Sequence, residues 1–122
     1  MIIRSAQLPI DTSDPGVMAR RLVGKHRGAS TITGGYSVFT PGSAIPLHTH
    51  PCEEMVVVVS GEMTADIDGV EHTLRPYDTT FITPGIPHRF INQTDHEGAI
   101  VYFYPMIDVS RDLHHPTETQ NT

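Results

Sequence analysis

The chain has 122 residues, 38% of them hydrophobic, and a formal net charge of −6. That length fits one domain able to bury a core without staples, and the acidic balance excludes the basic face that nucleic acid needs. No apolar run approaches the roughly 18 residues of a membrane span, "MIIRSAQLPID" holds too short an apolar stretch for a signal peptide, and a single cysteine cannot make an internal disulfide, which predicts a cytoplasmic location.

Ten glycines and ten prolines separate short apolar runs, the texture of an all-β domain. Residues 1–30 are expected to form an N-terminal strand or extension, with one weak helix candidate at "PGVMARRLVG" (15–24). "TITGGYSVFTPG" (31–42) reads as a strand ending at Pro41-Gly42. "SAIPLHTH" (43–50) reads as extended, because Pro46 and Pro51 exclude a helix interior. Residues 54–76 read as three strands, with turns at Ser60-Gly61 and Asp68-Gly69; Asp-Gly is a strong hairpin signal. Residues 78–92 read as two strands about Pro84-Gly85, and "GAIVYFYPM" (98–106) as a last long strand. The tail, 111–122, is polar and expected to fray. "MVVVV" (55–59) is apolar on both faces, whereas a sheet with one solvated face alternates. Its outer face is therefore expected to be covered, by the N-terminal segment or by a second subunit.

His48 and His50 stand two apart in a segment that the prolines hold extended. In a strand that spacing puts both on one face, about 6.6–7 Å apart along the chain; in a helix they would diverge by roughly 200°. Two imidazoles on one face can meet one divalent ion, with a third ligand arriving from the next strand. Glu53 and Glu54 open that strand, and His88 could add a ligand from another.

With its flanks the stretch reads Gly42, five residues, His48, one residue, His50, three residues, Glu54, six residues, Gly61. A chance match at this chain's composition is on the order of 10⁻⁴. This spacing resembles the first motif of the cupin superfamily. The second motif is matched at residues 77–92 by Gly85, His88 and Asn92, while Tyr77 stands where that motif has Gly and Thr83 where it has Pro. The resemblance implies a single antiparallel barrel of six or more strands, a double-stranded β-helix or jelly roll, over residues 31–110. It implies one divalent transition metal per chain (Fe, Mn, Ni, Zn, Co or Cu) held by His48, His50, Glu54 and His88. Cupins commonly pair through their sheets, so a homodimer is expected as well.

If His88 faces inward, period two sends Phe90 and Asn92 inward and Arg89 outward. Phe90 is expected in the core, and Cys52 as a buried small residue. Tyr36, Tyr102 and Tyr104 are strand aromatics, expected to pack, although one of them could serve a ligand. His26, His72, His96, His114 and His115 have no partner at metal-ligand spacing.

Three imidazoles and a carboxylate leave adjacent positions open on an octahedral ion. Three functions follow. The chain is an oxygenase of the dioxygenase type, or a redox-neutral isomerase, lyase or cyclase using the metal as a Lewis acid, or a non-catalytic small-molecule binder or sensor. In the second case Glu53 or a tyrosine, Tyr102 first, is the candidate for moving a proton. A short chain with few long loops suits a small oxygen-rich substrate rather than a polymer, and neither nucleic acid nor membrane is expected as a partner.

Overall fold

The computed structural model describes residues 1–114. It is built of antiparallel strands, with 3₁₀ turns at Ser5–Gln7 and Lys25–Arg27 as the helical content of the described residues. The strands are β1 (Val17–Val23), β2 (Thr33–Phe39), β3 (His48–Thr49), β4 (Glu54–Ser60), β5 (Met63–Ile67), β6 (Val70–Leu74), β7 (Thr79–Ile82), β8 (His88–Ile91), β9 (Gly98–Tyr104) and β10 (Asp112–Leu113). They form two five-stranded sheets, ordered β1-β2-β9-β4-β7 and β10-β3-β8-β5-β6. Placing β9 between β2 and β4, and β8 between β3 and β5, is jelly-roll topology.

The core lies between the sheets, where Val17, Phe39, Val56, Val58, Met63, Ala65, Phe90 and Ile100 form one buried cluster. In β4 the residues alternate as period two requires: Glu54, Val56 and Val58 are buried, and Met55 and Val59 are exposed. The hairpin of β5 and β6 turns at Asp68-Gly69 with both φ values positive, 51° and 83°, the requirement of a type I′ turn. Gly61 also needs its freedom: its φ is 68°, and a Cβ there would stand 2.5 Å from the Glu97 carbonyl oxygen. Tyr77 carries a φ of 74° although it is not glycine. The turn keeps its left-handed geometry, with the Tyr77 N–H donating to the Val58 carbonyl at 2.7 Å and the phenol left exposed.

Three expectations are corrected. Residues 15–24 hold no helix: Val17–Val23 are β1, paired antiparallel with β2 from Val17↔Phe39 to Val23↔Gly34. Ala, Arg, Leu and Met favour helix locally, but a partner strand and a core face for Val17 override that weak preference. The start of the tail is not frayed, because Asp112 and Leu113 pair with Thr49 and His48, and the His114 N–H donates to the Leu47 carbonyl at 3.0 Å. The outer face of β4 is not covered by the N-terminal segment, since Met55, Val59, Phe81 and Phe103 all remain exposed. His115 and the rest of the tail lie outside the described residues.

Candidate metal centre

Two segments bring three imidazoles together. His48 opens β3, His50 follows its end, and His88 opens β8 directly opposite His48 in the register. Their ring nitrogens lie within 4.8 Å of one another. All three are buried, at 2%, 5% and 1% exposure. Each Nδ1 donates to a backbone carbonyl: His48 to Pro46 at 2.7 Å, His50 to Ser110 at 2.8 Å, and His88 to Ile86 at 2.9 Å. A carbonyl only accepts, so each Nδ1 carries the proton and each Nε2 turns a lone pair inward. The backbone thereby fixes the tautomer that a metal requires.

The lone pairs then face one another. His48 Nε2 and His50 Nε2 are 3.1 Å apart, a contact between two lone pairs that a cation or a shared proton relieves. Burial opposes the proton, pushing His48 down to about 4 and lowering His50 as well. Glu54, first residue of β4, brings Oε1 to 3.0 Å from His88 Nε2 and Oε2 to 3.6 Å from His50 Nε2. Glu54 Oε1 and His88 Nε2 are not aligned as a hydrogen bond, and both remain buried without a hydrogen-bond partner. Burial pushes the Glu54 carboxyl up, but His88, then Tyr104 and His50, outweigh it and hold the group below its ordinary range. Burial likewise pulls His88 down, and the adjacent Glu54 carboxylate overcomes it and raises His88. Ligands 2.0–2.2 Å from one ion stand roughly 3.0 Å apart at right angles. The 3.1 Å and 3.0 Å contacts have that spacing. The donor set and its unsatisfied atoms fit a divalent ion.

Residues 35–104 match the family profile described as "Cupin domain", more than half of the chain. The chain belongs to the cupin family. Among curated proteins it is similar to Protein SchB of Streptomyces halstedii, 35% identical over 96 residues, which cover 78% of this chain and 69% of SchB. It is also similar to "Polyketide synthase CurC" of Streptomyces cyaneus, 37% identical over 76 residues, covering 62% of this chain and 49% of CurC. Among solved structures, the polyketide cyclase RemF from Streptomyces resistomycificus superposes with a TM-score of 0.79 at 20% identity, covering 100% of this chain and 93% of RemF. That likeness establishes a shared fold.

In this cupin His48, His50 and Glu54 line a cavity of about 580 Å³, walled by Val17, Val56, Phe90 and Ile100 and bordered by Asp11, Arg21 and Arg111. Glu53 does not line it. Glu53 is exposed and borders a shallow apolar groove on the outer face with Met55, Phe81 and Phe103. Tyr102 does line the cavity, and so does Tyr104, whose hydroxyl donates to His50 Nε2 at 3.1 Å. Burial, and then the Glu54 charge, push the Tyr104 phenol far up, so it stays protonated. Sequence reasoning left Tyr104 as packing. The available signal was parity: Tyr104 shares the inward face of β9 with Tyr102, and the register Met55↔Phe103 sets Tyr104 beside Glu54. Ser110 was missed altogether, because a carbonyl leaves no mark in side-chain spacing. Cys52 is half-buried, and burial raises its thiol. Phe90 is buried in the core. Asn92 is also fully buried; its Nδ2 donates to the Phe39 and His96 carbonyls, and its Oδ1 accepts from the Thr94 N–H and hydroxyl. Arg89 points outward to Asp66 at 3.2 Å.

Proposed function

We propose that this cupin is a metal-dependent enzyme acting on a small oxygen-rich molecule, and that its reaction is the redox-neutral cyclisation of a poly-β-ketone. The observation that carries the metal is the convergence of three Nε2 lone pairs, each imposed by a backbone carbonyl on Nδ1. His48, His50, Glu54 and His88 would hold the ion, one per chain. The likeness to CurC and RemF, whose names refer to polyketide synthesis and cyclisation, supports cyclisation over dioxygenase chemistry. A divalent ion supplies Lewis acidity at a carbonyl oxygen, which acidifies the carbon between two carbonyls.

The chain's own residues do the rest. The buried floor excludes water from the reacting carbons, and the apolar wall of Val17, Val56, Phe90 and Ile100 folds a linear chain back on itself. The Tyr104 hydroxyl, held protonated, would be released from His50 Nε2 once that lone pair is given to an ion, and could then donate to an enolate oxygen as charge develops there. Tyr102 presents a second hydroxyl to the same cavity, while Glu53, on the outer face, does not reach the reacting atoms. In an intramolecular aldol step the C–H bond of the carbon between two carbonyls breaks, that carbon bonds to a ketone carbon, and the proton it lost ends on the ketone oxygen; loss of that hydroxyl with a neighbouring C–H proton then releases water, with no net oxidation.

The outer face supports a homodimer. Phe81, Met55 and Phe103 lie in one row across β7, β4 and β9, and all three are exposed. The single free cysteine supports a cytoplasmic site of action. No helix among the described residues is long and apolar enough to cross a membrane.

The test is an anaerobic incubation of the zinc-loaded protein with a linear poly-β-ketone thioester. A cyclised, dehydrated product formed without dioxygen supports the reading. Product that appears only with Fe(II) and consumes O₂ would instead make it a dioxygenase. Thermal stabilisation by the thioester without product would make it a binding module.

A further inference from the structure

The wall formed by β1, β2 and β9 carries a second arrangement. Arg21 in β1 pairs with Gly35 in β2, and Gly35 pairs with Tyr102 in β9. The three form one row across the sheet, and Arg21 and Tyr102 both line the cavity. Gly35 is a notch in that row. A Cβ there would stand 2.5 Å from the Tyr102 hydroxyl and 2.8 Å from Tyr102 Cζ. The phenol therefore lies across β2 in the space the glycine leaves, leaning toward Arg21. A glycine in mid-strand weakens a sheet and often marks such a close approach.

The cations at the cavity mouth differ in their partners. Arg111 is held bidentately by Asp14, at 2.8 and 3.2 Å. Arg21 has no carboxylate within 4.0 Å among the described residues. Of the other carboxylates that line the cavity, Asp108 faces Lys25 at 3.8 Å, and Asp11, which feels the Arg21 charge, is turned onto its own loop, accepting from the Ser13 N–H at 2.8 Å and from the Ser13 hydroxyl. The cavity thus presents a guanidinium with free donors beside a phenol. Burial raises the Tyr102 hydroxyl despite the pull of Arg21, which keeps it a donor.

We propose that Arg21 and the Tyr102 hydroxyl form a binding pair for a carboxylate of the substrate, on the wall of β1, β2 and β9 and separate from the donor atoms of the metal centre. The preferred substrate is then a poly-β-ketone that bears a carboxylate rather than one that is neutral. A planar guanidinium fork suits such an oxyanion, and the charge-assisted bonds fix which end of a folded chain faces the metal. This rests on the metal centre being the reacting end of the cavity.

The test is calorimetric binding of 3,5-dihydroxyphenylacetate and of its neutral methyl ester to zinc-loaded wild type, Arg21→Gln, Arg21→Lys and Tyr102→Phe, with zinc content measured in each. The expected result is wild type binding the acid roughly tenfold more tightly than the ester. The ratio should fall to about one in Arg21→Gln, with Arg21→Lys and Tyr102→Phe between the two and zinc content unchanged. Arg21→Lys keeps the length and charge of the side chain, so the comparison stands even if Arg21→Gln does not fold. An equal preference in wild type and the Arg21 variants, a wild type that does not discriminate, or one that binds neither probe overturns the proposal. Because binding is scored without turnover, a protein that prefers the acid yet cyclises nothing would retain the anion pair and discard the cyclase reading.

Discussion

Stripping the metal and lowering the pH should destabilise this protein through two of its histidines. The free imidazole of an unfolded chain titrates near 6.5, and burial takes His48 down to about 4. Between those values the unfolded state binds the proton and the folded state refuses it, so stability falls as pH falls. From pH 6.5 to 4.5 His48 alone costs about 2 kcal/mol, and His50, lowered by burial in the same direction, adds to it. His88 is raised instead, so its contribution is complete below 6.5 and is lost as pH rises through its folded value. The two windows do not overlap, and the metal-free protein should be most stable near pH 6.5. Glu54, held below its ordinary value of 4.5, adds its own loss only under that pH. The assay is urea unfolding of chelator-treated protein at pH 4.5, 5.5, 6.5 and 7.5, beside His48→Gln. The wild-type acid limb should be about 2 kcal/mol deeper than the variant's. Equal limbs in the two proteins would refute the claim that His48 is held neutral by burial.

Metal occupancy should depend on single ligands. His50→Ala should lower metal affinity more than about 100-fold while far-ultraviolet dichroism stays that of a β protein; full occupancy by elemental analysis would remove His50 from the ligand set. Tyr77→Gly should raise unfolding stability by about 0.5–1 kcal/mol, because glycine relieves a φ of 74° at some cost in chain entropy; chemical denaturation reads the sign, and a loss would mean that the exposed phenol matters more than the backbone. Phe103→Asp should leave the barrel folded and halve the mass seen by light scattering at micromolar concentration; an unchanged dimeric mass would move the interface off the row of Phe81, Met55 and Phe103.

What could be read from the sequence follows the range of the interactions. His48, His50 and Glu54 sit within seven residues, and prolines hold their segment extended, so local geometry alone aims two of them at one point. The strands 54–76 were legible for the same reason, since Ser60-Gly61 and Asp68-Gly69 mark their own turns. β1 was legible only as a strand or extension somewhere in 1–30: residues 15–24 favour helix locally, and only the pairing with β2, a contact across a loop, makes Val17–Val23 a strand. Tyr104 and Arg21 failed similarly. Their meaning depends on β9 lying between β2 and β4 in one particular register, which no local pattern encodes. Residue-level parity did survive, with Phe90 and Asn92 turned inward and Arg89 outward as alternation from His88 requires.

The cavity divides into a floor that is over-determined and a wall that is not. Each imidazole of the floor is fixed at once by burial, by a carbonyl on Nδ1 and by its neighbours on Nε2, so changes there act on the whole centre. The wall is different. Arg21, Gly35 and Tyr102 belong to β1, β2 and β9, and none of them bonds an imidazole, so they can vary without disturbing the ligand set. On the proposed function, chemistry class would reside in the floor and substrate choice in the wall; superposition on RemF at 20% identity fixes the fold without fixing the substrate. One link joins the two. The carbonyl that orients His50 belongs to Ser110, which also lines the cavity mouth beside Arg111 and Asp14. A molecule that displaces the 108–111 segment would therefore act directly on the tautomer of a metal-facing histidine, so occupancy of the mouth and the state of the centre are not independent.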